Sequence, residues 1–188
     1  MLLSDNNSKH SVLEKAVIIP AQTGDIDFYW PLVSQFLNSA LEHTYGETSL
    51  DGIRVDVENG KRQLWVIKKD DRYLAAVCTM IYTTETGIKI GEITIAGGSE
   101  HGLWDHFADT IGMWFQKQGC DYQDIVGRAG WHRLYKDRGF RLAYQQLRRP
   151  LTEQATHRDM DLRGQTDERR QGREKDDIDT NGIGSAIS

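Results

Sequence analysis

Cysteine and proline are scarce in this chain, basic charge is in deficit, and no long apolar run occurs. Two cysteines are present, Cys78 inside an apolar strand pattern and Cys120 after a helical one. That count rules out a disulfide-stapled scaffold and gives no zinc-ligand spacing, so both thiols are read as reduced packing groups and no metal is expected. No stretch approaches the roughly 20 apolar residues that span a bilayer. The opening MLLSDNNSKH lacks the charged-then-apolar order of a secretory signal, so the protein is expected to stay in the cytoplasm where it is made. With 23 Lys and Arg against 28 Asp and Glu, the net charge is -5. This works against bulk attraction to phosphate backbones or anionic surfaces, and neither a membrane nor a specific nucleic acid is expected as a partner. From Thr152 onward there is no Trp, Tyr, Phe or Cys, and no core can be built there.

What is present fits one domain with appendages: 188 residues, 38% hydrophobic and 27% charged, are within the range of a single packed core. Residues 1–15 are polar and read as a flexible arm. AVIIP at Ala16–Pro20 is a short β-rich run ended by proline. Leu32, Val33, Phe36, Leu37, Ala40 and Leu41 recur on one helical face, with Pro31 tolerated as an early helix residue. A second helix is expected over about Ser49–Glu58, stopped by Asn59-Gly60. Gln63–Lys68, Tyr73–Thr83 and Ile88–Ala96 are β-rich runs separated by short turns, the pattern of an antiparallel meander. Leu103, Phe107, Ile111, Trp114 and Phe115 then return to helical spacing until Gly119. A strand at Asp124–Gly127, a helix at Trp131–Arg138 and a final strand at Arg141–Leu147 complete the domain. Strand, helix, strand implies a parallel pair, so the antiparallel sheet is expected to turn parallel near its middle. The fold class is α/β (mixed α+β), a central mixed sheet of six to seven strands with about four helices on both faces, over residues 16–151.

This element order resembles the GNAT family of acetyl-CoA-dependent N-acyltransferases, and LYKDRGF at Leu134–Phe140 is similar to its late L-Y-x-x-x-G-F signature. The resemblance covers most of Val17–Leu151. It is closest to GNAT-like proteins of tailed bacteriophages, through W-x-x-x-x-G-C followed by G-R-x-G-W-x-R-L-Y-K-x-x-G-F between Trp114 and Phe140. It implies that the fourth strand and the strand after the third helix splay apart, and that acetyl-CoA enters the gap with its diphosphate on the loop that opens the third helix. Free amides and the positive end of a helix dipole favour an anion there. The cofactor residues so implied are Ile95, Ala96, Gly97, Gly98, Ser99, Gly102, Arg128 and Trp131. The catalytic ones are Tyr135, as the acid that protonates the leaving thiolate, and Glu92, as the base that takes the amine proton.

The residues also carry plainer readings. Tyr135 fits a core or rim tyrosine, Glu92 a solvated strand face, and Gly97-Gly98 a simple strand-to-helix turn. Trp104, Trp114 and Phe115 fit a core, and His101, Asp105 and His106 do not have metal-ligand spacing. Two departures from the family strike the cofactor site. The loop GGSEHGLW is several residues shorter, lacks the basic start, and puts Glu100 where diphosphate would lie. In the fourth helix, Arg128 and Trp131 replace an Asn and a small Ala. Arg128, like Lys117 or Arg133, offers a cation for phosphate, while Trp131 puts a large ring where the cofactor channel would run.

Two functions are therefore weighed. One is an active N-acetyltransferase using acetyl-CoA on an amine. The other, slightly favoured, is a virion or assembly-associated structural protein of a phage, with an altered acetyl-CoA site. In that reading residues 152–188, with a mixed-charge composition that leaves them disordered alone, dock onto a partner in the particle. Ile178, Ile183 and Ile187 are the expected anchors, with Gly182 and Gly184 letting the backbone lie close.

Overall fold

The structure is a computed structural model and describes residues 15–127 and 130–161. The N-terminal arm to residue 14, Arg128, and the expected anchors of the tail lie outside the described residues. The chain divides into two compact units, one with 15–42 and 48–140, the other with 43–47 and 141–161.

The first unit is built on a five-stranded sheet in the order β1-β2-β3-β4-β5. Its strands are β1 (Val17–Pro20), β2 (Gln63–Lys69), β3 (Arg72–Thr83), β4 (Lys89–Gly98) and β5 (Tyr122–Ile125). Neighbours pair antiparallel through β4, as Ile18↔Ile67, Val66↔Ala76 and Cys78↔Ile95 show, and β4 pairs β5 in parallel from Ile90↔Tyr122 to Ile93↔Ile125. Two helices, α1 (Ile26–Leu41) and α2 (Leu50–Glu58), cover one face; α3 (Phe107–Lys117) covers the other, and α4 (Gly130–Tyr135) follows β5.

Burial on both faces explains why β2 reads LWVI without alternation. Leu64, Val66, Ala76, Cys78 and Ile95 meet Val33, Leu37, Ile53 and Val57. Trp65, Ile67, Val77 and Ile93 meet Phe107, Ile111 and Phe115. Ile93 and Ile95 belong to opposite cores although strict alternation would put them on one face. The register shift between Cys78 and Thr79 accommodates Thr94 as an extra residue on β4, and the bulge reverses the side-chain order beyond it. Gly91 permits this packing, since a Cβ there would collide with the Phe115 ring. The α2 start is fixed by Ser49, whose hydroxyl accepts the Gly52 N–H at 3.1 Å. Pro31 is the sixth residue of α1, not an early one, and costs that helix the hydrogen bond to the Asp27 carbonyl.

The second unit holds residues 43–47 against the segment after Phe140. The Arg148 guanidinium lies 4.6 Å from the centre of the Tyr45 ring and pairs with Glu47 at 2.7 Å. Arg158 donates to the Tyr45 carbonyl at 3.1 Å. Residues 153–161 form a helix, α5, inside the stretch that composition assigns to the tail. Thr152 starts it by accepting the Ala155 N–H at 3.2 Å.

Three expectations are corrected. The sheet has five strands among the described residues, not six or seven, because Arg141–Leu147 forms no strand. Period-two alternation reports that a segment suits a pleated surface; it does not supply a pairing partner. The parallel pair consequently lies at the sheet's edge and not near its middle. The described helices number five with α5.

Thr79 is the one fully buried polar residue of the described core, and its hydroxyl accepts the Trp65 indole N–H at 2.9 Å. Thr79→Val keeps the shape but strands that donor, and a loss of about 1–3 kcal/mol in denaturant unfolding is expected. Thr79→Ser should retain most of the stability; equal losses in both variants would show that packing, not the hydrogen bond, matters here.

Candidate functional site

The parting of β4 from β5 is set by their lengths. The parallel ladder ends at Ile93↔Ile125, with one further bond from the Val126 N–H to the Ile93 carbonyl at 3.2 Å. Beyond it, Ile95–Gly98 continue against β3 alone among the described residues. This is the gap in which the resemblance places the cofactor.

Aromatic side chains occupy the space. Over Ile93 and Ala96, between α3 and α4, the cavity shared by Trp104, Phe107, Trp131 and Tyr135 measures about 10 Å³. That is room for about one water, where a drug-sized ligand needs roughly 300–1,000 Å³. The Trp131 ring lies against Gly127, two residues past β5, close enough that a Cβ on Gly127 would stand 3.2 Å from it. Tyr135 is 4% exposed, with ring centres of Trp131 and Phe140 at 5.8 and 5.6 Å. Burial first, then the Asp105 carboxylate, pushes the Tyr135 phenol up to about 12, against the opposing pull of Arg138. Arg138 is itself held by Asp105 at 3.7 Å and by Asp109 at 2.5 Å. Tyr135 is thus a protonated, desolvated core phenol at neutral pH and a weaker acid than a free tyrosine.

The loop after β4 is committed to the scaffold. A Cβ on Gly97 would collide with the Phe36 carbonyl of α1, and one on Gly98 with the Leu74 carbonyl and Ala75 of β3. These glycines allow close packing of β4 against α1 and β3. The Ser99 N–H bonds the Leu74 carbonyl at 2.9 Å, and the Ser99 carbonyl accepts the Trp104 indole N–H at 2.8 Å. The Leu103 N–H goes to Glu100 at 2.8 Å, and those of Trp104 and Asp105 both go to His101 at 3.0 Å. Glu100 adopts a left-handed conformation at φ 51° and pairs with Arg72 at 3.2 Å. Gly102 is exposed with open space around it. The amides that an anion would need are therefore largely spent on the loop's own turns before α3 begins. His101 packs on Trp104 and His106 on Phe107, with ring centres 4.4 and 4.1 Å apart. The Ile95 side chain turns to the α1 core, leaving Ala96 to face the gap.

Glu92 lies on the other face of the sheet, since Gly91 and Ile93 on either side both face α3. The two catalytic candidates are accordingly on opposite faces. Glu92 is the register neighbour of Asp124. Burial, then the Asp124 charge, holds its carboxyl above the usual range, opposed by Arg62. Arg62 donates to Asp56 at 3.0 Å and to the Thr94 hydroxyl at 2.5 Å, and Thr94 donates to the Cys78 carbonyl at 3.1 Å. Sequence reading missed this polar cluster. Arg62 follows the Asn59-Gly60 stop and reads as a turn residue, and only the bulge turns Thr94 toward it. A shallow cavity of about 200 Å³ at the start of β2, lined by Thr23, Lys61, Arg62, Gln63, Met80 and Trp114 among others, includes neither Glu92 nor Tyr135.

No protein-family model and no curated protein matches the sequence. Solved structures do. A possible acetyltransferase from Clostridium difficile 630 matches with a TM-score of 0.53 at 13% identity, over 74% of this chain and 100% of its own. A Trypanosoma brucei acetyltransferase matches at 0.51 and 16%, over 73% and 100%. The ribosomal-protein-alanine N-acetyltransferase of Brucella melitensis biovar Abortus 2308 matches at 0.53 and 11%, over 72% and 99%. The fold is GNAT-like. At such identities the likeness speaks for the fold, not for a substrate.

Two outcomes test this geometry. Gly97→Ala should cost about 1–3 kcal/mol through its collision with α1, while Gly102→Ala, in open space, should stay within about 0.5 kcal/mol; equal effects would undo the packing account. Glu92 keeps its proton to higher pH when folded than when unfolded, so its contribution to stability falls as pH rises from the ordinary carboxylate range through the raised native value. Glu92→Gln should be more stable than the parent near neutral pH, with the gap closing below about pH 4; a gap independent of pH in urea melts would refute it.

Proposed function

We propose that this chain is a GNAT-fold protein that acts by binding and not by acetyl transfer, as an assembly or virion-associated structural protein of a tailed phage. The observation that carries this reading is the packing of Trp104, Phe107, Trp131 and Tyr135 over Ile93 and Ala96, around a cavity of about 10 Å³. The residues present do not fit acetyl-CoA. Trp104, Trp131 and Tyr135 stand where its arm would run, Gly97 and Gly98 are pressed against α1 and β3, and Glu100 faces solvent at the loop's tip. The phage assignment is supported by the resemblance carried by Trp114–Phe140, and the docking role by the composition of residues 152–188.

A second reading, an N-acetyltransferase acting on an amine, is favoured by one observation. Glu92 sits beside Asp124 just before β4 and β5 part, with its affinity for protons raised, as a general base requires. The Brucella neighbour, a ribosomal-protein-alanine N-acetyltransferase, is consistent with that chemistry.

Calorimetric titration of the full chain with acetyl-CoA separates the two. No saturable binding is expected up to about 1 mM, which corresponds to less than roughly 4 kcal/mol of binding free energy. Micromolar affinity together with turnover that falls in Tyr135→Phe would overturn the binding-protein reading and install the enzyme.

A further inference from the structure

We infer that the notch where β2 starts, at the opposite end of the sheet from the gap beyond Ile93, takes an extended acidic peptide as an added strand beside β3. The notch exists because β3 outruns its neighbour. β2 begins at Gln63, opposite Thr79, while β3 continues to Thr83 with β4 alone beside it. The chain before Gln63 is held elsewhere. The Lys61 and Arg62 N–H groups both bond the Asp56 carbonyl of α2, at 2.8 and 3.1 Å, so these amides are spent on the helix end and not on β3.

The main-chain groups of Ile81 and Thr83 face that notch. In an antiparallel ladder successive residues turn their main-chain groups to opposite sides. The bond from the Val126 N–H turns the Ile93 carbonyl toward β5, so its partner Thr79 turns away from β4, and Ile81 and Thr83 follow at alternate positions. The bond from the Thr84 N–H to the Ile88 carbonyl at 2.8 Å agrees, since it turns Thr84, and with it Tyr82 and Met80, toward β4. Among the described residues nothing pairs with Ile81 and Thr83 on the β2 side. Met80–Thr83, MIYT, also lack the proline and charge that commonly guard an open edge.

The cavity of about 200 Å³ adjoins this edge. Its walls come from both sides of the sheet, Ala21, Ile26 and Val57 from the α1 core, Ile81 and Trp114 from the side packed by α3. It therefore lies where a further strand of the sheet would run. The volume is below that of a drug-sized ligand site, but an added strand needs room only for an inward side chain, because its main-chain bonds run along the edge. Charge selects the occupant. Lys61 and Arg62 line the cavity and no carboxylate does. Asp56 accepts from Arg62 at 3.0 Å, whereas the Lys61 ammonium stands 3.8 Å from the same carboxylate on a side chain that is 70% exposed. Lys61 is thus the cation best placed to meet a carboxylate on the incoming strand.

Fluorescence anisotropy on the full chain tests the site, with a labelled, C-terminally amidated peptide Val-Thr-Val-Asp-Val-Thr as probe. It should bind saturably with a Kd of about 100 μM or tighter, and its Asp-to-Asn counterpart about two- to fivefold more weakly. Lys61→Gln should abolish that difference. Thr83→Pro removes an N–H that no native bond uses, a change an edge tolerates; it should weaken both peptides about tenfold or more at an unchanged melting temperature, while Thr83→Val binds like the parent. If Thr83→Pro melts lower, the Lys61→Gln comparison decides. No saturable binding up to about 1 mM would overturn the inference, as would equal affinity for the two peptides in the parent or full affinity in a stably folded Thr83→Pro. A dimer in light scattering that Thr83→Pro dissociates would also overturn it, by giving the edge to a second copy. None of these outcomes depends on whether acetyl-CoA binds.

Discussion

Where two parallel strands diverge, both lose hydrogen-bond partners and the apolar residues beneath them lose cover, so something must enter the wedge. In this molecule the wedge opens beyond Ile93 and Ile125, and aromatic rings close it. Trp104 is pinned by its indole N–H on the Ser99 carbonyl, and Tyr135 is pinned between Trp131 and Phe140. The arrangement of α3, α4 and the loop between β4 and α3 follows from that closure. Trp131 fits because Gly127 has no Cβ to hold it off. Trp104 reaches inward because the loop turns tightly at Glu100, in a conformation that non-glycine residues adopt rarely.

The same closure restricts the loop. Gly97 and Gly98 lie too close to α1 and β3 for any side chain, and a loop seated that closely cannot withdraw to admit a diphosphate without disturbing both neighbours. Arg72 further pairs with Glu100, although an exposed pair of this kind adds little to stability. What fixes the loop is steric contact and backbone hydrogen bonding, and both count against an anion site at the point where a helix N-terminus would otherwise offer one.

Much of the fold was legible because its signals are local. Ser49 and Asn59-Gly60 bracket α2 as expected, the three β-rich runs are β2, β3 and β4, and Trp131–Arg138 contains α4 and the 3-10 turn after it. Trp131, singled out in the sequence as a large ring, packs against Gly127 and Tyr135. What stayed hidden depends on contacts remote in sequence. The bulge at Thr94 separates Ile93 from Ile95 and cannot be read from IKIGEITIA, since it depends on the register against β3. Arg62 meets Thr94 across 32 residues. Arg141–Leu147 reads as a strand but takes no regular structure, and α5 begins in a segment whose composition hides a Thr152 cap.

The two faces of the sheet consequently differ in what they leave free for chemistry. The α3 face is mostly apolar, and its buried phenol, Tyr135, is held protonated near neutrality. The opposite face retains Glu92, Asp124, Arg62 and Asp56 as a partly buried charged network. Charges at half burial persist when they satisfy one another, and Arg62 does so by bridging α2 to β4 through Asp56 and Thr94. That bridge explains the cluster without substrate: it ties the end of α2 to the bulged strand, and Glu92 is then carried as a neighbour whose ionisation is disfavoured. A structural origin for a raised carboxylate pKa is as physical as a catalytic one. Here the structural origin is complete on its own, since Arg62, Asp56 and Thr94 account for the burial and charge around Glu92.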